Sequence, residues 1–285
     1  MARTRARPLP SRLITRGRAG LFALAMGAGG TWLLLEKTNP LTAALGLGNV
    51  ALYAGCYTPL KVMHPVNTWV GAVVGAIPPL MGWAAAAGEL QPGALFLASV
   101  LYFWQMPHFM ALAWMSRADY AAGGYRMLSV LDKTGGKRTA ACALRHSLYL
   151  IPLGFAGCVL DVASEPFAWA YAALAVGMLG PAVGFYAEPT AAKARLLFRA
   201  SLWHLPASMA AMFAWRVPNA GRTFSTWAEW KAHAVSRFAT PGNDPIFAQS
   251  FPFTMMPIAG VPQRGVGAEF SVAARSRQQP VGAKD

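Results

Sequence analysis

Residues 104–130, WQMPHFMALAWMSRADYAAGGYRMLSV, leave a strongly apolar segment through one histidine, His108, and end in a glycine-containing polar loop with one aspartate, Asp119. A helix continuing from His108 to Asp119 would separate them by about three turns of ~3.6 residues and set both on one face. The imidazole then lies deeper in the apolar layer and the carboxylate at its edge. That arrangement suits a site handling a greasy, charged substrate at a membrane surface.

Outward from this stretch the chain keeps the same character. Its 285 residues are 55% hydrophobic and 13% charged, too little charge to cover a soluble domain. Apolar blocks at about 19–35, 41–57, 66–87, 93–115, 142–160, 166–186 and 196–215 read as roughly seven membrane spans of ~20 residues. The fold class expected is all-α, a polytopic transmembrane helix bundle in contact with the lipid bilayer. Pro78-Pro79 should kink or break the third of these blocks, 66–87, while Gly71, Gly75 and Gly82 let a backbone or ligand approach it closely.

The formal charge of +14 comes from scarce acids, not a polymer-binding run. Lys and Arg collect in the N-terminal arm, near Lys61, in 116–141 and in 187–195, whereas the alternate loops carry Glu36, Lys37, Glu89, Asp161 and Glu165. Topology explains this better than nucleic-acid binding, so the arm, the Lys61 loop and the Asp119 loop face one compartment. Cys56, Cys142 and Cys158 form no paired motif and read as small buried hydrophobes. No phosphate-binding glycine loop, zinc-protease or serine-hydrolase motif occurs.

Few residues are left to carry chemistry. Asp119 has the type and place to hold Mg²⁺ on a phosphate substrate, which takes one or two carboxylates; the plainer reading is a solvated acid pairing Arg117. Arg126 flanks the same loop. Tyr57 and Lys61, four residues apart at a helix end, can project together towards the basic face, either as a phosphate site or as a snorkelling lysine beside an interfacial tyrosine. His108, and likewise His204, is either a porphyrin or metal ligand or a histidine bonded to a neighbouring helix. Asn67 either bonds substrate or caps its helix.

YTPLK (57–61), NTWVGAVVGAIPPLMGW (67–83), WQMPHFMALAW (104–114), DYAAGGYRML (119–128) and SLWHLP (201–206) occur in one order. Together they resemble the heme O synthase branch, the protoheme IX farnesyltransferases of mitochondrial type, within the UbiA prenyltransferase superfamily. The resemblance runs from about Met1 to Trp215, and the region after Val217 has no recognised counterpart. It implies a UbiA-type bundle with about seven of the usual nine helices present. It also implies two polar loops that bind Mg²⁺ and an isoprenoid diphosphate. Asp119 matches the second loop's aspartate, and Tyr57 and Lys61 match the family's Y-x-x-x-K. The opening MARTRARPL matches a segment that follows the first aspartate motif, so that motif and two helices are expected to precede Met1. Arg3 and Arg7 then belong to the first diphosphate loop, although 1–18 taken by composition alone resembles a mitochondrial transit peptide.

The implied reaction is farnesyl transfer from farnesyl diphosphate to a vinyl group of protoheme IX (heme b), giving heme O. The catalytic group would be Asp119, Lys61 and Tyr57, with Asp119 holding the metal. Substrate would be bound by Arg3, Arg7, Asn67, His108, Arg117, Tyr120, Arg126 and His204. The implied setting is the mitochondrial inner membrane, multi-pass, with the active face towards the matrix; heme A synthase is an expected partner and nucleic acid is not. Other readings are a non-catalytic assembly protein, a truncated remnant of the enzyme, or a UbiA enzyme with another aromatic acceptor. The chain divides into a basic arm (1–18), the prenyltransferase bundle (19–215) and a low-order tail (216–285). In that tail Trp227, Trp230, Ala234 and Phe238 would share the apolar face of an interfacial helix.

Overall fold

The computed structural model describes residues 4–217. The expected helix of the tail and Arg3 lie outside the described residues. Helix α1 (Arg16–Lys37) starts where the Thr15 hydroxyl accepts from the Arg18 N–H. It buries no residue and displays Leu21, Phe22, Leu24 and Trp32. Such a surface is stable against lipid, not water.

Helix α2 (Pro40–Ala51) runs through a π-helical turn (Leu52–Tyr57) into α3 (Thr58–Met63). The sequence ended this span at 57; the structure carries the rod six residues further. The widened turn has a local cause. Pro59 cannot donate a backbone hydrogen bond, and Thr58 turns both its N–H and its hydroxyl back to the Tyr53 carbonyl, the latter at 2.8 Å.

Helix α4 (Asn67–Ala87) runs on through Pro78 and Pro79 without a break. It ends on Gly88, whose φ of 78° is the left-handed cap that glycine adopts without strain. Gly71 and Gly75 do serve close approach. A Cβ at Gly71 would stand 2.7 Å from the Tyr57 ring, and one at Gly75 would stand 1.9 Å from Gln105 Oε1. Gly82 faces open space, with no atom of another helix within 4 Å of a Cβ there.

Helix α5 (Pro92–Met115) stops at Ser116 and is followed by short helices α6 (Arg117–Ala122) and α7 (Leu128–Leu131). The single helix expected from His108 to Asp119 is therefore interrupted at Ser116. Helices α8 (Lys137–Val159), α9 (Glu165–Ala187) and α10 (Ala191–Trp215) complete the bundle. α8 packs between α5 and α9, and α10 packs on α9 and α5. Their common core holds Phe96, Met106, Leu150, Phe167, Met178 and Leu197, each no more than 2% exposed. Gly154 brings α9 close: a Cβ there would lie 2.8 Å from the Ala168 carbonyl.

Among the described residues five helices, α1, α4, α5, α8 and α9, are long and apolar enough to cross a membrane. The two other expected spans fall short for separate reasons: α2 is interrupted by the π turn, and α10 carries Lys193, Arg195, Arg199 and His204. Hydrogen bonds define two faces. Asn39 Nδ2 donates to Ala84 O at 2.7 Å, and Ser164 N to Trp215 O at 2.9 Å, on one face. On the other, the Arg126 N–H donates to Lys61 O at 2.7 Å, and Lys137 Nζ donates at 2.8 Å to the last carbonyls of α9, Tyr186 and Ala187. The second is the basic face.

The cysteines depart from the expectation in one case. Cys142 is buried and Cys158 half-buried, but Cys56 is exposed on the π turn. His146, beside Arg145, is buried against Phe103 and Tyr149 and bonds the Cys142 carbonyl at 2.8 Å.

Candidate functional site

At the basic face the π turn and α3 set Tyr53, Tyr57 and Lys61 along one strip. The rings of Tyr53 and Tyr57 lie 5.5 Å apart, and the Lys61 ammonium stands 4.2 Å from the Tyr57 ring centre and 5.3 Å from that of Tyr53. Contacts of this kind contribute ~0.5–1 kcal/mol at exposed sites. They hold the amine in place while leaving its three protons for an anion. Tyr57 is held in turn by Gly71, which leaves room for the ring.

The loop after α6 folds back onto this strip. Gly124, at φ 71°, makes the turn, and Tyr125 N–H bonds Tyr120 O at 2.9 Å. The rings of Tyr120 and Tyr125 meet edge to face at 5.8 Å. Arg126 N–H then reaches Lys61 O, and Asn67 Nδ2 bonds both Arg126 O (3.2 Å) and His64 O (2.7 Å).

Between these segments lies a cavity of about 200 Å³ lined by Thr4, Arg7, Tyr57, Lys61, Tyr120, Tyr125 and Met127. Two cations and three phenols face it, with no acid in the lining. Its size is below the ~300–1,000 Å³ of a drug-sized site. It suits a small anionic group and not a whole porphyrin.

The structure brings Arg7, Tyr57, Lys61 and Tyr120 to this one cavity from three separate stretches of sequence. Asp119 lies one residue before Tyr120 and is half-exposed. Among the described residues no hydrogen bond or ion pair engages its carboxylate. Arg117 does not pair with it: the guanidinium lies 4.2 Å over Trp114 and donates to Trp114 O. The Arg126 side chain is exposed, and its backbone is what joins the site. Asn67 is fully buried and neither meets the cavity nor caps its helix, which has Val66 as N-cap. It is the tie between the two loops.

The other loop acid, Asp132, is already occupied. Its carboxylate accepts from the N–H and hydroxyl groups of Thr134 and Thr139 at 2.6–2.9 Å. Burial pushes its pKa up, but these four bonds outweigh burial and hold it below the ordinary carboxylate value. Asp132 is a loop staple, whereas Asp119 stands next in sequence to Tyr120 of the lining. Among the described residues no group of three or more His, Cys, Asp or Glu gathers as a metal site.

The histidines lie away from the cavity lining. His108, on α5, bonds Ser201 of α10 at 2.9 Å and packs against Trp104 and Phe198. His204 is 4% exposed, near Ser208 and the Tyr171 ring, in the contact of α9 with α10. Sequence reasoning missed Thr4, Tyr125 and Met127. Tyr125 had a signal, a second phenol just past the Gly123-Gly124 turn; Ser201, 93 residues from His108, had none.

The model of the UbiA prenyltransferase family matches residues 1–215. The "Protoheme IX farnesyltransferase, mitochondrial" of Arabidopsis thaliana is 47% identical over 268 residues, covering 90% of this chain and 61% of that protein. This match exceeds the share of residues 1–215, so it runs into the region after Trp215, against the expectation that this region has no counterpart. The human protein of the same name is 44% identical over 227 residues, 78% of this chain and 49% of its own. The chain thus spans about half to three fifths of the curated relatives it matches. A solved digeranylgeranylglyceryl phosphate synthase superposes with a TM-score of 0.62 at 16% identity over 74% of each chain, a likeness of fold. Family model, relatives and bundle agree: the chain belongs to the UbiA prenyltransferase family.

Proposed function

We propose that this chain carries the diphosphate-binding and acceptor parts of a protoheme IX farnesyltransferase, moving a farnesyl group from farnesyl diphosphate to a vinyl group of protoheme IX. The observation that carries this is the cavity in which Arg7 and Lys61 meet the phenols of Tyr57, Tyr120 and Tyr125. It lies at the polar end of an apolar bundle, where an isoprenoid tail can enter lipid-like surroundings while its head stays at the surface. The names of the relatives supply the acceptor and the mitochondrial setting.

In this reading the diphosphate sits between Arg7 and Lys61, with the phenols donating to its oxygens. The allylic C–O bond breaks, its electron pair leaves with diphosphate, and both cations stabilise the growing negative charge. The vinyl π-electrons attack the farnesyl cation; water adds to the resulting carbon and loses a proton, giving the hydroxyethylfarnesyl side chain of heme O. Mg²⁺ fits the residues present in a limited way: Asp119 would supply one carboxylate and the diphosphate further oxygens. Bound there, the ion would neutralise leaving-group charge. Lys61 meets the anion from its place against the tyrosine faces.

The basic face would look into the matrix across the inner mitochondrial membrane, with heme A synthase as the consumer of the product. The test is heme O formation in membranes carrying the full-length protein, supplied with farnesyl diphosphate and protoheme and read by mass spectrometry. Product that disappears in Asp119→Asn supports the reading. Normal heme O in that variant refutes the role of Asp119, and prenylation of a different aromatic acceptor alone refutes protoheme as substrate.

A further inference from the structure

Ser201 is fully buried on α10 and receives two groups from α5: Trp104 Nε1 donates to its carbonyl at 2.8 Å, and His108 Nδ1 lies 2.9 Å from its Oγ. The same Oγ is 2.6 Å from Phe198 O, one helical turn back. A serine hydroxyl has a single proton. If it pointed at His108, lone pairs of Oγ and Phe198 O would face each other at 2.6 Å with nothing between them. The proton therefore lies towards Phe198 O, and Oγ meets His108 as an acceptor. His108 must then be the donor, with its proton on Nδ1.

In the neutral ring that leaves Nε2 as a lone pair, and among the described residues it meets no hydrogen-bond partner. The ring plane is held as well: Trp104 stacks at 5.1 Å and 23°, Phe198 at 4.6 Å and 30°. An imidazole whose far nitrogen is pinned and whose near nitrogen is bare is set up as a Lewis base.

We propose that Ser201 is a positioning residue that fixes His108 as the Nδ1–H tautomer and so presents Nε2 to the iron of a porphyrin. The choice of porphyrin rests on the reading above; the tautomer does not.

The test uses the full-length protein in detergent, with ¹⁵N-labelled histidine and the His108 signal assigned by its loss in His108→Gln. The expected spectrum has Nδ1 protonated and Nε2 bare near neutral pH. A proton on Nε2, or an imidazolium, overturns the proposal. Ser201→Ala should shift His108 towards the Nε2–H form, and Ser201→Thr, which keeps the hydroxyl, should restore the original pattern. Ferric protoheme then probes the ligand. Its Soret shift on binding should be lost in His108→Ala, weakened about tenfold or more in Ser201→Ala, and kept in Ser201→Thr. Heme spectra indifferent to both alanine variants overturn the role towards iron. Intact tautomer and heme spectra in a protein that transfers no farnesyl group would sink the proposed reaction and leave this assignment standing.

Discussion

The Lys61 ammonium rests 4.2 Å from the centre of the Tyr57 ring, so the cation facing the cavity is held by π-electrons and not by a carboxylate. A lysine paired with an acid would have to break an ion pair to bind a phosphate. One lying on a phenol face keeps that contact with its protons free for the ligand, and the same ring carries a hydroxyl for it.

Tyr57→Leu therefore removes both the resting place and the hydroxyl, and Tyr57→Phe only the hydroxyl. From the ~0.5–1 kcal/mol of such a contact, the leucine variant should raise the KM for farnesyl diphosphate about two- to five-fold more than the phenylalanine variant. Steady-state kinetics on both variants checks this; equal KM values would remove the ring face from the account.

Gly71→Ala should act on the same site without touching substrate. Its Cβ would stand 2.7 Å from the Tyr57 ring, so the ring must move or the helices part. The expected outcome is a destabilisation of about 1–3 kcal/mol together with weaker diphosphate binding. Gly82→Ala, which meets open space, should do neither. Thermal unfolding and ligand titration of the pair separate the cases.

Much of this was legible in the sequence. Long apolar blocks and one-sided Lys and Arg give the bundle and its basic face, because burial in lipid and loop charge are properties of composition. Lys61 and Tyr57 could be paired because both lie on one stretch of helix. What the sequence could not give is where helices end and what crosses between them. The continuation from His108 to Asp119 failed at Ser116, which ends α5 with φ −101° and ψ 13°. No break occurs at Pro78-Pro79, and the unforeseen irregularity is the π turn before Pro59, where Thr58 bonds the Tyr53 carbonyl. Asn67 and Ser201 owe their roles to partners 59 and 93 residues away, a distance no local pattern spans.

Asn67→Ala should show the difference between tying the site and binding its ligand. Loss of the bonds to His64 O and Arg126 O leaves Arg126 O short of a donor, at a cost of about 1–3 kcal/mol, while His64 O keeps the N–H of residue 67. Hydrogen exchange should rise in both 58–66 and 120–127. A rise confined to one segment would mean that Asn67 does not couple them.

Asp132 makes the α7–α8 connection sensitive to acid. Its pKa is lowered on folding, so its contribution is fully present above the unfolded value of ~3.9 and is lost as pH falls through the lower folded value. After correction for intrinsic rates, amide exchange in 132–140 should be flat from pH 8 to 5 and rise only in acid below about pH 4. In Asp132→Asn the segment should exchange faster at every pH. An Asn variant matching the wild type would show that the carboxylate is not what staples the loop.

The most direct test of the central claim is the affinity of the full-length, detergent-solubilised protein for farnesyl thiodiphosphate, an unreactive analogue of the donor. It is measured by calorimetry for the wild type and for the Arg7→Ala/Lys61→Ala double variant. With ~1.5–3 kcal/mol for each charge-assisted contact, the double variant should bind at least a hundredfold more weakly while retaining its helical content and melting temperature. Unchanged affinity in a folded double variant would contradict the assignment of this cavity as the diphosphate site.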